Sequence, residues 1–347
     1  MSAAVWRLDP HDAMSALSIL RDARCVLLPT HQNVDADALA SALATYKVLR
    51  SLDIEAAVVI SDGVLPDSLR FLPGVEDVLL YGQDELPDYD LLCLIDCSDR
   101  RRLGAFYRDD PTRLDGRVPM INIDHHVTND RFGVVNIVGP DAASASEIMA
   151  DILAVWGTEL TPNIAQLLLA GIYGDTLGLR TESVTSRTIR TAADLVDAGA
   201  NPARIVDALF RIKPKSTVCV WEQALRNVQW TGTLIWTELT EEDFARCHAR
   251  PSEGEGIVNF LLGTEGSRAA AILYGTPEGW RVSMRSMSSD VDVARITAVF
   301  GGGGHPRAAG CQIVGGAAEK QSFLTRVSEL LNETAVSGAP VPPDVAG

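Results

Sequence analysis

Cysteine is scarce in this chain of 347 residues, and its placement suggests no pairing. The six Cys residues lie scattered, form no CxxC motif, and at least three of them stand inside apolar runs. Cysteines of this kind are typical of small buried side chains in a reducing compartment. We therefore expect no disulfide framework.

The chain also lacks long apolar runs and an excess of positive charge. No apolar run approaches the roughly 18 residues of a membrane helix, and the N-terminus has no basic region followed by an apolar one. We therefore predict a cytoplasmic protein without membrane association. The net charge of −16 argues against a protein that coats long nucleic acid, because phosphate neutralisation needs a basic face. Short anionic substrates at a metal site remain compatible with it, since bound cations add positive charge.

Two regions with different patterns divide the chain, and its length suits two domains. The first region alternates buried strands with helices: RCVLLP at 24–29 is a strand, an Ala/Leu-rich helix runs from Asp37, and 54–60 is the next strand. Such β-α-β units form parallel sheets, so we predict an α/β domain with a parallel sheet and helices on both faces. The later short strands and helices predict a smaller α+β domain across a cleft.

We place the domain boundaries where this pattern changes. The first domain is predicted at 1–200, a helical linker at 201–228, and the second domain at 229–333. From Ser337 onward the sequence is rich in Pro, Gly, Ala and Val, and we assign 334–347 to a flexible tail.

Polar side chains follow three buried strands of the first region at the point where each strand ends. A further carboxylate, Asp175, lies in an otherwise apolar helix. Because ligands of open α/β sheets bind at the carboxyl ends of the strands, we expect these side chains to converge. The residues at the three strand ends are His31, Asp35, Asp37, Asp96, Asp124, His125 and His126.

Carboxylates that converge in this number repel one another unless cations neutralise them. Asp and His ligands without Cys suit Mn²⁺ or a similar ion, and two ions that share a carboxylate form a two-metal phosphoester site. Each segment alone has a simpler interpretation: a polar turn before a helix for 31–37, a strand-end turn residue for Asp96, and an Arg partner for Asp175. Their joint occurrence favours the metal site.

A run of four glycines, Gly301 to Gly304, precedes His305. Neither a helix nor a strand interior favours such a run, whereas backbone N–H groups of a glycine loop can approach an anion closely. A flexible loop is the alternative. Upstream, Arg281 and Arg285 share one face of a predicted strand. Four Arg and two Asp between 281 and 310 give a local charge of +2, which favours anion binding.

These motifs resemble the DHH phosphoesterases, which include RecJ-type nucleases and family II pyrophosphatases. HQNVDADA at 31–38, DCSD at 96–99, DHH at 124–126 and GDT at 174–176 resemble the four motifs in order, with Val34 and Ala36 where Pro and Gly are usual. GGGGHPRAAG at 301–310 resembles the hallmark of the DHH-associated C-terminal domain and argues against a pyrophosphatase. The layout from about residue 10 to 330 resembles the NrnA-like nanoRNase and pAp phosphatase group.

The resemblance implies two Mn²⁺ ions, with Mg²⁺ or Co²⁺ as substitutes. His31 and Asp35 are expected to hold one ion, and Asp37, His125 and Asp175 the other. Asp96 is expected to bridge the two ions and to take part in catalysis.

The resemblance also implies roles around these ligands. His126 is expected to be catalytic and to contact the phosphate or the leaving oxygen, while Asp99 and Asp124 orient ligands. The second domain is expected to bind the remote end of the substrate. Its substrate-binding residues would be Arg285, Ser286, Gly302, Gly303, Gly304, His305 and Arg307.

The function that the resemblance implies is hydrolysis of short oligonucleotides (nanoRNA) to mononucleotides, together with dephosphorylation of pAp to AMP. One alternative is a phosphodiesterase for the cyclic dinucleotide c-di-AMP or its linear product pApA. A nucleotide-sensing module on a decayed site is the alternative without catalysis. We further expect a homodimer.

Overall fold

The computed structural model describes residues 6–287 and 290–337. The chain divides into two compact units, and the boundary between them along the sequence lies between Ile212 and Lys213. Residues 334–337 of the predicted tail continue the last helix, and 338–347 lie outside the described residues. Within the described ranges, no helix is long and apolar enough to cross a lipid bilayer.

The first unit is built on a six-stranded sheet in which every strand pair is parallel, in the order β3-β2-β1-β4-β5-β6. This arrangement confirms the predicted α/β architecture. The strands are β1 (Val26–Pro29), β2 (Ala56–Ile60), β3 (Leu79–Leu80), β4 (Leu91–Ile95), β5 (Met120–Asp124) and β6 (Val135–Val138). The helices are α1 (Pro10–Asp22), α2 (Ala36–Ser51), α3 (Gly104–Arg108), α4 (Ala145–Val155), α5 (Pro162–Asp175), α6 (Ser186–Asp197) and α7 (Pro202–Val206).

The central strands are buried on both faces, which explains their nearly continuous apolar sequences. Successive side chains of a strand point to opposite faces. Leu28 belongs to the apolar core that includes residues of α2, α4 and α5, whereas Leu27 belongs to a separate core with Leu103 and Phe106. The sheet is therefore a rigid platform whose strand ends position the polar residues that follow them.

The second unit contains a six-stranded sheet in the order β11-β12-β10-β9-β8-β7, antiparallel except for the β8–β9 pair. It confirms the predicted smaller α+β unit. The strands are β7 (Gln229–Thr231), β8 (Leu234–Leu239), β9 (Ala269–Thr276), β10 (Gly279–Ser286), β11 (Gly303–His305) and β12 (Ala308–Val314). The helices are α8 (Lys215–Arg226), α9 (Glu241–Arg246), α10 (Ile257–Leu262), α11 (Val293–Ala298) and α12 (Ala317–Ser337).

Helix α8 covers part of the predicted linker, and its Val220 and Ala224 are buried in a core of the second unit. This packing brings Cys219 of α8 next to Cys247 at the end of α9, with their Cα atoms 5.6 Å apart, and the two form a disulfide. The expectation that the chain holds no disulfide is therefore wrong. The two residues are 28 positions apart, so only the packing of the two helices reveals the pair.

Candidate metal centre

The order of the strands brings the predicted ligands to one edge of the parallel sheet. Strands β1, β4 and β5 are neighbours in the sheet. The strands that follow β1 along the chain, β2 and β3, lie on one side of it, whereas β4, β5 and β6 lie on the other side. Open α/β sheets bind ligands at such a switch in strand order, here between β1 and β4. His31 follows β1, Asp96 follows β4, and His125 follows β5. All three are therefore delivered to the same place by adjacent strands.

Helix α2 supplies two further carboxylates from its N-terminus. Asp35 is the N-cap residue, and its Oδ1 accepts hydrogen bonds from the backbone N–H groups of Asp37 (3.1 Å) and Ala38 (3.0 Å). Because Oδ1 is used by the cap, Oδ2 is left to face His31, whose Nε2 lies 3.6 Å away. Asp37 lies in the first turn and is completely buried.

Asp96 lies between two groups of ligands, one carboxylate oxygen toward each. Its Oδ2 is 3.4 Å from the Nε2 of His31, and its Oδ1 is 3.4 Å from the Nε2 of His125. The Nε2 of His125 is also 3.1 Å from Asp175 Oδ2. Among the described residues, three groups of side chains have donor atoms within 4.8 Å of one another. Two are sets of three that match the predicted ligand sets: His31, Asp35 and Asp96, and Asp37, His125 and Asp175. The third joins Asp96, Asp124, His125 and His126.

Several donor atoms of these two sets are buried without a hydrogen-bond partner among the described residues. They are the Nε2 atoms of His31 and His125 and the Oδ1 atom of Asp96. Buried polar atoms are rarely left unsatisfied. His125 Nε2 lies 3.4 Å from Asp96 Oδ1 and His31 Nε2 lies 3.4 Å from Asp96 Oδ2, and a cation held between each pair of atoms would satisfy them. The site therefore fits divalent cations, and its Asp and His donors suit Mn²⁺ or a similar ion.

Burial and neighbouring charges shift the pKa values of these side chains in opposite directions. Burial lowers the pKa of His31, but Asp35 and Asp96 outweigh it and raise the pKa to about 10. Burial likewise lowers the pKa of His125, which Asp175 and Asp96 raise to about 12. Burial raises the pKa of Asp96, but the two histidines outweigh burial and hold that pKa well below its usual range. Asp96 is thus the carboxylate that stays ionised between two cationic groups.

The other two buried carboxylates shift in the opposite direction. Burial and then the negative charge of Asp175 raise the pKa of Asp37 well above its ordinary value. Burial raises the pKa of Asp175 as well, although His125 opposes that shift. A divalent cation held by these residues would therefore displace protons from them.

Asp37 is oriented by residues that the sequence interpretation missed. Its Oδ2 and Oδ1 accept hydrogen bonds from the backbone N–H groups of Ala145 (2.6 Å) and Ser146 (2.9 Å) in the first turn of α4. Helix α5 passes close by at Gly171, where a Cβ would overlap Ser146 Oγ and lie 2.6 Å from Asp37 Oδ1. A glycine inside an apolar helix was the available sequence signal for this close approach.

His126 is held through both ring nitrogens. Its Nδ1 lies 2.8 Å from Asp124 Oδ1, and Asn129 Nδ2 donates to the other oxygen of that completely buried carboxylate at 2.6 Å. Its Nε2 lies 3.3 Å from Arg102 Nη1. The roles of Arg102 and Asn129 were also missed, because neither stands in a motif. Asp99 instead accepts a hydrogen bond from the Nε of its neighbour Arg101 at 2.9 Å.

The second unit contains a groove of about 540 Å³ whose lining includes two arginines. Arg281, Ser283, Arg285 and Gly303 are among its lining residues. Arg285 Nη1 donates to Ser283 Oγ at 3.1 Å, while the guanidinium of Arg281 stacks 4.5 Å above the ring of Tyr274. The two arginines that were predicted to share a strand face therefore share this groove.

Half of the glycine run lies in a short edge strand and not in a loop, and this strand was not predicted from the sequence. Residues 303–305 are β11, which pairs with β12 from Gly303↔Gly310 to His305↔Ala308. A Cβ at Gly302 would overlap the carbonyl oxygen of Gly310, and one at Gly304 would lie 2.6 Å from that of Ala308. Close approach of the two backbones is the physical reason for glycine at these positions.

The remaining predicted substrate residues lie around this hairpin. The hydroxyl of Ser286 is buried and donates to the carbonyl oxygen of Val291 at 2.7 Å, and Arg307 Nη1 donates to the same oxygen at 3.2 Å. His305 is exposed on β11. Of the predicted set, Arg285 and Gly303 line the groove.

Comparison with known families and relatives agrees with this geometry. The protein-family model described as "DHH family, N-terminal domain" matches residues 25–172, and the family model of the DHHA1 domain matches residues 246–333. The bifunctional oligoribonuclease and PAP phosphatase NrnA of Thermus thermophilus is 33% identical over 294 residues, which cover 84% of each chain. The protein of the same name from Bacillus subtilis is 24% identical and covers 83% of this chain and 89% of its own length.

Solved structures show the same fold. An exopolyphosphatase-related protein from Bacteroides fragilis superposes with a TM-score of 0.85 at 22% identity, covering 96% of this chain and all of the other. An exonuclease RecJ bound to manganese gives a TM-score of 0.52 at 15% identity, with 96% of each chain covered.

Proposed function

This chain belongs to the DHH family of phosphoesterases, and we propose that it hydrolyses short oligonucleotides to mononucleotides and also converts pAp to AMP. The observation that carries the proposal is the position of Asp96, whose two oxygens each face one histidine of a separate ligand set. Two cations that share a carboxylate are the arrangement used for phosphoester hydrolysis. The names of the relatives from Thermus and Bacillus support the choice of substrate.

We propose Mn²⁺ at both positions. His31 and Asp35 would hold one ion, Asp37, His125 and Asp175 the other, with Asp96 shared. When bound, such ions neutralise phosphate charge and lower the pKa of water so that it attacks phosphorus at neutral pH.

The protein's own groups orient this chemistry. Asp124 fixes the ring of His126, which would present its edge to the phosphate or the leaving oxygen. In the second unit, Arg285 and the backbone of Gly303 offer positive charge and N–H groups for the substrate end that is not cleaved. The homodimer and the cytoplasmic location stay predictions.

A side-by-side assay with Mn²⁺ tests the substrate assignment. The substrates are the dinucleotide pApA, a much longer oligonucleotide, pAp and c-di-AMP. We expect pApA and pAp to be hydrolysed and the long oligomer to be the poorest linear substrate. Hydrolysis of c-di-AMP without that of pAp would move the assignment to the cyclic-dinucleotide alternative.

Replacement of Asp96 tests the metal centre itself. Asp96→Ala should lower turnover of pApA at least about 100-fold, because both ligand sets lose a donor. Metal analysis after dialysis should show less bound Mn²⁺ than in the wild type. Asp115→Ala is the matched control, since that carboxylate lies in the same unit but is exposed and pairs with Arg117. Near-normal hydrolysis and Mn²⁺ content in Asp96→Ala would refute the assignment.

A further inference from the structure

Three consecutive arginines lie at the edge of the metal centre, and each has a different environment. They form the 3₁₀ turn Arg100–Leu103, which follows Asp96 and β4. Arg101 is largely exposed and pairs with Asp99. The guanidinium of Arg100 stacks 5.3 Å from the centre of the Phe132 ring. Arg101 is therefore paired with a carboxylate of the protein, whereas the buried Nε of Arg100 has no hydrogen-bond partner among the described residues.

Of the three arginines, Arg102 is the one whose side chain contacts a residue of the metal centre. Its side chain is partly buried, and its guanidinium contacts the Nε2 of His126 at 3.3 Å. Within the described part of the chain, Arg102 forms no ion pair with a carboxylate. The nearby acidic cluster lies on the other side of the His126 ring, whose Nδ1 is 3.4 Å from Asp96 Oδ1. A partly buried guanidinium that is not neutralised by the protein is poised for an external anion.

The backbone at Arg102 is held firmly relative to the metal ligands. The carbonyl oxygen of Arg102 accepts a hydrogen bond of 2.6 Å from the backbone N–H of Gln32, the neighbour of His31. Leu103 is completely buried. Gly104 has a φ of 55°, and a Cβ there would lie 2.9 Å from Gln32 Cβ. The turn therefore cannot shift without moving the loop that carries His31.

The hydrogen bonds of His126 define how Arg102 is presented. The Asp124 carboxylate can only accept, so Nδ1 of the ring carries the hydrogen and Nε2 offers a lone pair to Arg102 Nη1. One N–H group of the guanidinium is thus used by the histidine. Arg carries five N–H donors in a planar fork that matches two oxygens of a phosphate, so donors remain for a ligand.

We propose that Arg102 binds the non-bridging oxygens of the phosphate that is hydrolysed, alongside His126. This inference rests on the proposed function, since it assumes that the phosphate is cleaved at the metal centre. A purely structural role, in which Arg102 only holds the His126 ring, is the alternative. If Arg102 binds the phosphate, loss of its side chain weakens phosphate binding, and a small soluble guanidinium compound restores part of the activity. If Arg102 only holds the His126 ring, phosphate binding stays unchanged.

Three variants separate these roles: Arg102→Ala, Arg102→Lys, and Arg101→Ala as the matched control from the same turn. In the Mn²⁺-loaded enzyme, Arg102→Ala should lose at least about 100-fold in kcat/KM on pApA, the scale of a lost charge-stabilising donor. Arg102→Lys should retain an intermediate activity, because a lysine supplies the charge without the fork. Added methylguanidinium should restore part of the activity of Arg102→Ala. Arg101→Ala should stay close to the wild type.

Binding of radiolabelled inorganic phosphate by equilibrium dialysis provides a readout that does not depend on turnover. Phosphate binding is compared in proteins that also carry Arg285→Gln, because this substitution removes a guanidinium of the second unit that would itself bind phosphate. There, Arg102→Ala should weaken phosphate binding about 10-fold or more, with unchanged Mn²⁺ content and melting temperature. Unchanged phosphate affinity, or an activity loss that follows loss of Mn²⁺, overturns the proposal. If the wild type cleaves neither pApA nor pAp, the proposed function fails, and the dialysis result still decides the role of Arg102.

Discussion

Asp96 illustrates how much of this site depends on single residues. It has a φ of 59°, in the left-handed region, directly after β4, and its backbone N–H donates to the carbonyl oxygen of Ile123 at 2.9 Å. Asp tolerates this conformation better than most residues with a side chain. The turn places the carboxylate between His31 and His125. Backbone strain of this kind concentrates at functional sites.

Gly171 provides a prediction at the same scale. Gly171→Ala would press a methyl group against Ser146 and Asp37, so we expect a loss of about 1–3 kcal/mol in the free energy of unfolding and a weaker affinity for Mn²⁺. Urea denaturation and calorimetric Mn²⁺ titration measure the two effects. The double variant Gly171→Ala/Ser146→Ala removes one overlapping oxygen and should recover part of both losses. Wild-type Mn²⁺ affinity in the single variant would contradict the predicted crowding of Asp37.

At the scale of elements, the site requires β1 and β4 to stay aligned, since they deliver His31 and Asp96. Asp90 joins the beginnings of the two strands. Its carboxylate accepts hydrogen bonds from the backbone N–H groups of Arg24 (2.9 Å) and Cys25 (3.1 Å). The bond from Cys25 is the main cause that lowers the pKa of Asp90. The ionised carboxylate therefore stabilises the pairing of the strands.

This pKa shift predicts how stability depends on pH. Because the pKa of Asp90 is lower in the folded than in the unfolded chain, its contribution is complete above the unfolded value of about 3.9 and is lost as the pH falls through the folded value. Asp90→Asn should cost about 1 kcal/mol or less at pH 7, since the side chain is partly exposed. The difference from the wild type should shrink below about pH 4. Denaturation midpoints across this range measure it.

The matched control for this prediction is Asp88→Asn, which makes the same charge change at an exposed position two residues earlier. It should leave stability almost unchanged at every pH. A destabilisation by Asp90→Asn that persists at low pH would show that the amide fails for a reason other than charge.

At the scale of the whole molecule, the chain combines a metal centre in one unit with a cationic groove in the other. Arg285 is partly buried in this groove, and burial lowers its pKa. Arg285→Gln should raise the KM for pApA at least about 10-fold and change kcat less, because it removes binding that substrate and transition state share. Steady-state kinetics and Mn²⁺ analysis distinguish this from damage to the metal centre.

Arg326→Gln controls for the loss of one positive charge in the same unit, since Arg326 is exposed and pairs with Glu329 on α12. His305→Ala should also weaken dinucleotide binding if the predicted role of His305 holds. An Arg285→Gln variant that lowers kcat and leaves KM unchanged would place Arg285 outside substrate binding.

The local pattern of the sequence was sufficient to predict the architecture of both units and the residues at the strand ends. Buried strands that alternate with helices dictate a parallel sheet, and the carboxyl ends of such strands meet at one edge. The candidate ligands His31, Asp96 and His125 were predicted from this rule together with the DHH resemblance. Each of these inferences uses residues that are close together in the chain.

Only the tertiary structure decided which groups support those ligands. The contact of Arg102 with His126, the approach of Gly171 to Asp37, and the disulfide of Cys219 join residues that are distant in sequence. The pairing that makes 303–305 a strand likewise depends on the hairpin partner. Such contacts depend on how elements pack, and packing between distant segments produces no periodicity or motif that a single sequence displays.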